Sequence, residues 1–142
     1  MAQYAFFNNR FVPIEEAKVS VMTHALHYGT GCFEGIRGKC NEEQGQTYIF
    51  RVADHYRRLL DSSRILQMQF PYTVQQLVDI TVELVEKCGL KEDIYVRPLA
   101  YKSSEVIGVR LHDLNASLTI FVVPFGNYLD VEKGITCGTS SW

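Results

Sequence analysis

Short apolar runs separated by turn-forming residues dominate the first fifty positions, and this pattern predicts β-strands. The first two runs, Tyr4–Phe7 and residues 11–12, flank Asn8 and Asn9. Asparagine tolerates the positive φ that two-residue hairpin turns require, so these segments are predicted to form a β-hairpin. Pro13 is expected to end its second strand.

Two later segments have the apolar period of amphipathic helices. Asp54 is predicted to cap the first helix. Thr73 and Gln76 form the pattern of a capping box at the start of the second helix, and Gly89 stands where that helix should end. The two apolar stripes consist of Tyr56, Leu59, Leu60, Ser63 and Leu66, and of Leu77, Ile80, Thr81, Leu84 and Cys88.

Strands before, between and after two adjacent helices are typical of an α+β fold. We predict a mainly antiparallel sheet with both helices packed on one face, because a doubly wound sheet would require repeated strand–helix alternation. Residues 102–115 form a long loop around Gly108, which we expect to be mobile or held by a partner chain. The other predicted elements are strands at residues 32–37, 47–50, 94–101, 118–123 and 135–142, a polar loop at residues 41–46, and a short helix at His24–Tyr28.

The composition is that of one globular domain. The chain has 142 residues, of which 46% are hydrophobic and 21% charged, so disordered and low-complexity classes are excluded. A net charge of −2 provides neither a basic surface for nucleic acid nor a polybasic membrane patch. The longest apolar runs are too short to span a bilayer.

The cysteines and the start of the chain favour a reducing compartment. The four cysteines include no C-x-x-C pair, and the first residues lack the features of a signal peptide. We therefore expect free thiols and a cytoplasmic location.

Three common kinds of site are disfavoured by spacing. His24 and His27 have no third ligand nearby in sequence, so hydrogen-bonded histidines are favoured over a metal site. The glycines at 29, 31 and 35 do not match the dinucleotide fingerprint. No serine lies in a G-x-S-x-G elbow, which argues against a serine hydrolase.

Two arginine-containing segments are candidates for anion binding. Arg57 and Arg58 lie beside an apolar helix stripe; a double arginine is typical of a solvated face, but one of the two can face a cleft and bind a phosphate or carboxylate. Tyr95 and Arg97 share one face of a strand, because side chains alternate along it. Arg97 is either part of a cross-strand ion pair or a carboxylate receptor.

Four motifs, in the same order along the chain, resemble the branched-chain aminotransferases, which are pyridoxal-phosphate enzymes of fold-type IV. The resemblance covers all 142 residues. The motifs are the run from His24 through Phe33-Glu34-Gly35-Ile36 to Arg37, then Phe50-Arg51-x-x-x-His55-x-x-Arg58-Leu59-x-x-Ser62, then Tyr95-Val96-Arg97-Pro98-Leu99, and finally Pro124-Phe125-Gly126-x-Tyr128 with Ser140-Ser141-Trp142.

The resemblance implies a role for each matching residue. Arg58 would bind the phosphate of the cofactor, pyridoxal 5′-phosphate. Ile107, Gly108 and Val109 would reach the active site of a partner subunit in a homodimer or higher oligomer. The pocket would accept the side chain of a branched-chain amino acid and, in the other half-reaction, the distal carboxylate of glutamate or its 2-oxo acid. Its lining would comprise Tyr28, Phe33, Gly35, Tyr95, Arg97, Phe125 and Tyr128, although tryptophan is common in the family where Phe125 stands.

The resemblance also implies that residues 1–142 are a small N-terminal domain. In the family, the lysine that forms the Schiff base and the glutamate that pairs with the pyridine nitrogen lie in a second domain. None of the six lysines of this chain aligns with that lysine, so the chain alone is expected to be inactive. The alternatives are another fold-type IV enzyme, a D-amino acid aminotransferase or an aminodeoxychorismate lyase, and a non-catalytic binding module.

Overall fold

The computed structural model describes residues 3–126 and 133–141. Most of the described residues belong to strands and helices that follow each other along the chain through short connections. A single turn of 3₁₀ helix, Ile14–Glu16, follows the first hairpin. The strands are β1 (Tyr4–Phe7), β2 (Arg10–Pro13), β3 (Gly31–Phe33), β4 (Ile36–Asn41), β5 (Gln46–Ile49), β6 (Ile94–Lys102) and β7 (Ala116–Pro124), and the helices are α1 (His24–Tyr28), α2 (Val52–Ile65) and α3 (Val74–Cys88).

The seven described strands form one sheet in which every pairing is antiparallel. Its order is β2-β1-β7-β6-β4-β5, and β3 also pairs with β6. The long pair β6 and β7 occupies the centre, where β-branched and aromatic residues are common. The predicted α+β fold with a mainly antiparallel sheet is confirmed.

The strand predicted over residues 32–37 is interrupted by a proline in its neighbour. Cys32 lies opposite Ala100 in β3, and Ile36 lies opposite Val96 in β4, so both pieces keep the same register against β6. The gap lies opposite Pro98, which has no N–H to donate. The Glu34 N–H still donates to the Pro98 carbonyl oxygen at 3.1 Å, and side chains therefore continue to alternate between faces across the gap.

Helices α2 and α3 cover one face of the sheet, as predicted. The apolar stripes of the helices meet the inward side chains of the central strands, and Tyr56, Leu59, Leu77 and Leu84 are fully buried there. The predicted capping box is present: the Thr73 hydroxyl accepts from the Gln76 N–H at 3.2 Å.

The prediction that Asp54 caps α2 is wrong. The helix begins at Val52, and the residue before it, Arg51, has left-handed backbone angles. Asp54 lies inside the first turn, where its carboxylate accepts a hydrogen bond from Arg51 Nε at 2.6 Å. A negative charge in the first turn of a helix is favourable, so Asp54 is compatible with the start of α2 without being its cap.

Two predictions for the second half of the chain also need correction. Lys102 is the last residue of β6, so the loop covers residues 103–115. The strand predicted at 135–142 is absent from residues 135–141, which are exposed and have no strand to pair with in the described part of the chain; Trp142 lies outside it. No helix among the described residues is long and apolar enough to cross a membrane.

Candidate active site

Arg97 is the centre of a polar and aromatic cluster on the sheet face opposite α2 and α3. It shares that face with Tyr95, two positions earlier in β6, and its Nη2 donates to the Tyr95 hydroxyl oxygen at 2.9 Å. The guanidinium carbon lies 4.1 Å from the centroid of the Phe33 ring and 5.1 Å from that of Tyr95. Arg97 is therefore held by two aromatic neighbours and not by a carboxylate.

The Nε atom of Arg97 is buried and has no hydrogen-bond partner among the described residues. An unsatisfied buried N–H costs free energy, and the cost is larger for a charged group. A ligand oxygen at this position would satisfy the donor and neutralise the charge. Of the two possibilities left open by the sequence, the geometry favours the carboxylate receptor over the cross-strand ion pair.

Gly35 is required by the position of the Tyr95 ring. A Cβ atom at residue 35 would lie 2.2 Å from the Tyr95 hydroxyl oxygen and 2.8 Å from its Cζ. Both distances are far below van der Waals contact, so any side chain at residue 35 would displace Tyr95 and its hydrogen bond with Arg97. The glycine that the resemblance assigned to the pocket thus supports the geometry of the receptor.

Phe125 and Arg37 extend the cluster along the same face. The Phe125 ring lies 4.8 Å from the Tyr95 ring, and the guanidinium carbon of Arg37 lies 4.8 Å from the centroid of Phe125. Arg37 was not among the residues predicted for the site. Its spacing from Phe33 and Gly35, at intervals of two along one strand, was the signal that could have identified it.

An apolar cavity of about 600 Å³ adjoins Arg97 on this sheet face. Phe33 belongs to its lining, and so does Leu99, which follows Arg97 at the next position on the same face of β6. A cationic receptor and an aliphatic and aromatic cavity therefore lie side by side, an arrangement that can hold a carboxylate and a hydrocarbon chain.

Arg58 lies at a second, neighbouring centre on the other side of strand β3. Its Nε and Nη2 each donate to a different oxygen of Glu34 at 2.5 Å, and the Glu34 carboxylate also contacts His55 Nδ1 at 2.8 Å. Glu34 points towards α2, whereas its chain neighbours Phe33 and Gly35 point towards Arg97. The short strand β3 has no partner on its outer edge among the described residues, which leaves a route between the two centres.

The Glu34–Arg58 pair leaves part of the guanidinium available. The Glu34 side chain is 7% exposed, whereas that of Arg58 is 66% exposed. Arg58 Nη1 makes no hydrogen bond to any described residue. Arg57, by contrast, is exposed on the outer side of α2 and pairs with Asp54, as expected for a solvated helix face.

Glu34 gives the fold a predictable dependence on pH. The hydrogen bond from Arg58, opposed by burial and assisted by His55, holds the pKa of Glu34 below its ordinary value of 4.5. The pair therefore stabilises the fold above about pH 4.5, and this contribution is lost as the pH falls through the lowered pKa. Glu34→Gln should lower the urea midpoint at pH 7, and the difference from the unchanged chain should shrink below pH 4.5.

The matched control for this prediction is Glu43→Gln, at an exposed turn residue with no ion pair among the described residues. Its urea midpoint should follow that of the unchanged chain throughout the series from pH 7 to pH 3. A difference between Glu34→Gln and the unchanged chain that stays constant with pH would contradict the assignment.

Tyr28 lies apart from the Arg97 cluster and contacts the loop at residues 103–115. Its hydroxyl accepts the Gly108 N–H at 3.0 Å, and its ring packs on His24. Ile107 and Val109, on either side of Gly108, are 64% and 83% exposed. The loop, which was expected to be mobile or held by a partner chain, thus has an anchor within its own chain at Gly108 while its apolar tips stay accessible. Tyr128, also predicted for the pocket, lies outside the described residues.

Neither a metal centre nor a lysine accompanies the described cluster. The described residues contain no group of three or more metal-ligating side chains. Lys102 is buried on the face covered by α2 and α3, where its Nζ donates to the Gln67 carbonyl at 2.7 Å, and burial lowers its pKa. It belongs to the same strand as Arg97 but points to the opposite face.

The fold and the site together define an enzyme domain that binds a carboxylate next to an apolar cavity. Residues 31–142 match the family model described as amino-transferase class IV, and this chain belongs to that family. Its fold matches the small N-terminal domain of fold-type IV aminotransferases.

Known relatives share this sequence and fold. The chain is 45% identical over 139 residues to a probable branched-chain-amino-acid aminotransferase of Aquifex aeolicus, covering 98% of this chain and 45% of the relative. The crystal structure of the branched-chain aminotransferase from Thermoproteus uzoniensis with norvaline matches with a TM-score of 0.85 and 44% identity, over 92% of this chain and 43% of that one. The branched-chain amino acid aminotransferase of T.th., complexed with N-(5′-phosphopyridoxyl)-L-glutamate, matches with a TM-score of 0.79 and 36% identity, over 88% and 41%. The chain thus spans less than half the length of these relatives.

Proposed function

We propose that this chain is the small N-terminal domain of a longer pyridoxal-phosphate-dependent aminotransferase, which transfers the amino group between branched-chain L-amino acids and 2-oxoglutarate. The observation that carries the proposal is the buried, unsatisfied Nε of Arg97 beside the apolar cavity. Such a pocket suits two kinds of substrate side chain, one ending in a carboxylate and one ending in a branched hydrocarbon. The names of the relatives support the same substrates.

Arg58 fits the cofactor phosphate. Glu34 fixes one edge of its guanidinium, and the remaining edge is exposed and can donate to phosphate oxygens in a planar, charge-assisted pair. Pyridoxal phosphate, when bound, supplies an electron sink for charge that develops at the substrate α-carbon. The role of Arg58 is to hold the phosphate, and that of Glu34 is to orient Arg58.

The partner-subunit role of Ile107, Gly108 and Val109 is part of the proposal. Two large apolar side chains held on an anchored loop are suited to contact a second copy of the chain, in a homodimer or a higher oligomer. All four cysteines are free thiols, which fits a reducing compartment such as the cytoplasm.

The experiment is a transamination assay on the cofactor-loaded longer protein. Leucine and 2-oxoglutarate are supplied, and glutamate formation is followed against a blank without leucine. D-leucine in place of L-leucine distinguishes a D-amino acid aminotransferase, and release of pyruvate from aminodeoxychorismate distinguishes a lyase. If none of these activities is found although the cofactor is bound, a non-catalytic binding module is favoured.

Arg58→Ala should weaken cofactor binding in the longer protein. Loss of a charge-assisted contact to phosphate should raise the dissociation constant of pyridoxal phosphate about tenfold or more. Because Arg58 is largely exposed, the melting temperature of the cofactor-free protein should change little. Binding is measured by titration of the cofactor absorbance.

Arg57→Ala is the matched control for that prediction, since it removes a neighbouring arginine that faces solvent. Its cofactor dissociation constant should equal that of the unchanged protein. Equal affinities for Arg58→Ala and Arg57→Ala would refute the assignment of Arg58.

A further inference from the structure

His24 is a fully buried side chain that the proposed function does not use. It lies at the start of the five-residue helix α1, four positions before Tyr28, and the two rings pack at 4.6 Å. Its backbone N–H donates to the Ser104 carbonyl at 2.9 Å. Its ring Nδ1 lies 2.8 Å from the Thr30 hydroxyl oxygen. One residue therefore connects α1, the turn before β3 and the loop at residues 103–115.

Gly108 is held at both of its backbone polar atoms by this pair of rings. His24 Nε2 lies 2.6 Å from the Gly108 carbonyl oxygen, and the Tyr28 hydroxyl oxygen lies 3.0 Å from the Gly108 nitrogen. A carbonyl only accepts hydrogen bonds, so the proton of His24 must be on Nε2. The contact spans 84 residues of sequence and joins two segments that have little other reason to meet.

The same two bonds fix how the Tyr28 hydroxyl is used. A backbone N–H only donates, so the Tyr28 oxygen is the acceptor towards Gly108. Its own proton is then directed elsewhere, and no described residue accepts it. A phenol with this orientation is a hydrogen-bond donor suited to an anionic oxygen such as a carboxylate.

We propose that His24 is a positioning residue, which holds Gly108 through Nε2 and thereby presents the Tyr28 hydroxyl as a donor to a substrate carboxylate. The carboxylate ligand rests on the proposed function; the contact with Gly108 does not. His24 itself touches no substrate. Without its Nε2 bond, the Gly108 N–H would leave Tyr28, and the hydroxyl would lose its fixed orientation.

Two substitutions separate the roles of the ring nitrogens. The side-chain amide of glutamine reaches about as far as Nε2, whereas that of asparagine reaches only to the place of Nδ1. His24→Gln should therefore keep the bond to Gly108, and His24→Asn should keep only the contact with Thr30. His27→Gln, on the exposed side of the same helix, is the control.

The first readout is hydrogen exchange of the Gly108 amide in the 142-residue chain. Exchange should be faster by about tenfold in His24→Asn and should remain within about threefold of the unchanged chain in His24→Gln and His27→Gln. The second readout is kinetic: in the cofactor-loaded longer protein, His24→Asn should raise the KM for glutamate severalfold, while kcat with leucine and its KM stay unchanged.

The outcomes distinguish this proposal from the proposed function. Equal exchange in the Asn and Gln variants overturns the contact, and faster exchange with an unaltered KM for glutamate overturns the positioning role. Absence of transamination in the longer protein refutes the proposed function, while the exchange result still decides the contact. If neither variant folds, the ¹⁵N shifts of the His24 ring in the unchanged chain decide it: a proton on Nδ1 and none on Nε2 excludes the bond to Gly108.

Discussion

Replacing Arg97 with methionine is expected to raise the KM for 2-oxoglutarate about a hundredfold in the cofactor-loaded longer protein, because a bidentate, partly buried contact to a carboxylate is lost. The KM for the 2-oxo acid of leucine should change by less than about threefold, since a hydrocarbon side chain makes no such contact and methionine keeps the site apolar. Initial rates measured separately with the two oxo acids give both values.

Two further variants define what Arg97 contributes. Arg97→Lys keeps the charge but loses the planar fork, so its KM for 2-oxoglutarate should lie between those of the methionine variant and the unchanged protein. Arg57→Met removes an exposed arginine and should leave both KM values unaltered. An equal loss for both oxo acids in Arg97→Met would mean that the residue supports the fold and does not select the carboxylate.

Local pattern was sufficient to predict much of this site. Alternation along one strand placed Tyr95 and Arg97 on the same face, and the structure brings both into one cluster. Helical period identified the buried stripes of α2 and α3, because these side chains depend mainly on their own element and on the core. The carboxylate receptor, one of two possibilities at the sequence level, is the one that the geometry favours.

Other features depend on contacts between segments that are distant in sequence. Pro98 divides the neighbouring strand into β3 and β4, which requires knowing that the two strands are paired. The need for glycine at residue 35 follows from the place of the Tyr95 ring across that pairing. His24 was interpreted as one of two hydrogen-bonded histidines, but its partner Gly108 lies 84 residues away. No local spacing rule could have supplied these relationships.

The alternation rule itself also had more to offer than was used. Arg37 follows Gly35 by two positions, and its stacking on Phe125 extends the site. Asp54 illustrates the opposite limit: its residue type suits a cap, but Arg51 in the left-handed region already begins the turn. Residue type alone locates the end of a helix only to within a residue or two.

The 142-residue chain by itself is expected to show no transamination above a cofactor-only blank. The reaction requires an amine that binds the cofactor covalently and moves a proton at the substrate α-carbon. Arginine cannot replace it, because guanidinium stays protonated. Loss of a positioned acid–base group alone lowers a rate by about 10²- to 10⁴-fold.

The positions of the lysines explain why none is expected to substitute. Lys102 is buried on the opposite face of the sheet, Lys39 pairs with Asp93 at 2.8 Å, and Lys87 lies over the ring of Phe11. The remaining three, Lys18, Lys91 and Lys133, are exposed. An exposed amine is not enclosed with the substrate, so it lacks the fixed geometry that proton transfer at the α-carbon requires.

The test supplies the chain with pyridoxal phosphate, leucine and 2-oxoglutarate and follows glutamate over many turnovers, with the cofactor-loaded longer protein as the positive control. Borohydride reduction followed by peptide mapping then reports any lysine that has bound the cofactor. Scattered, substoichiometric labelling of exposed lysines without turnover is the expected result, because a surface amine reacts with the aldehyde but is not held at the substrate. Sustained glutamate formation by the 142-residue chain, with one lysine labelled stoichiometrically, would instead identify a catalytic amine within this domain and overturn the division of labour proposed here.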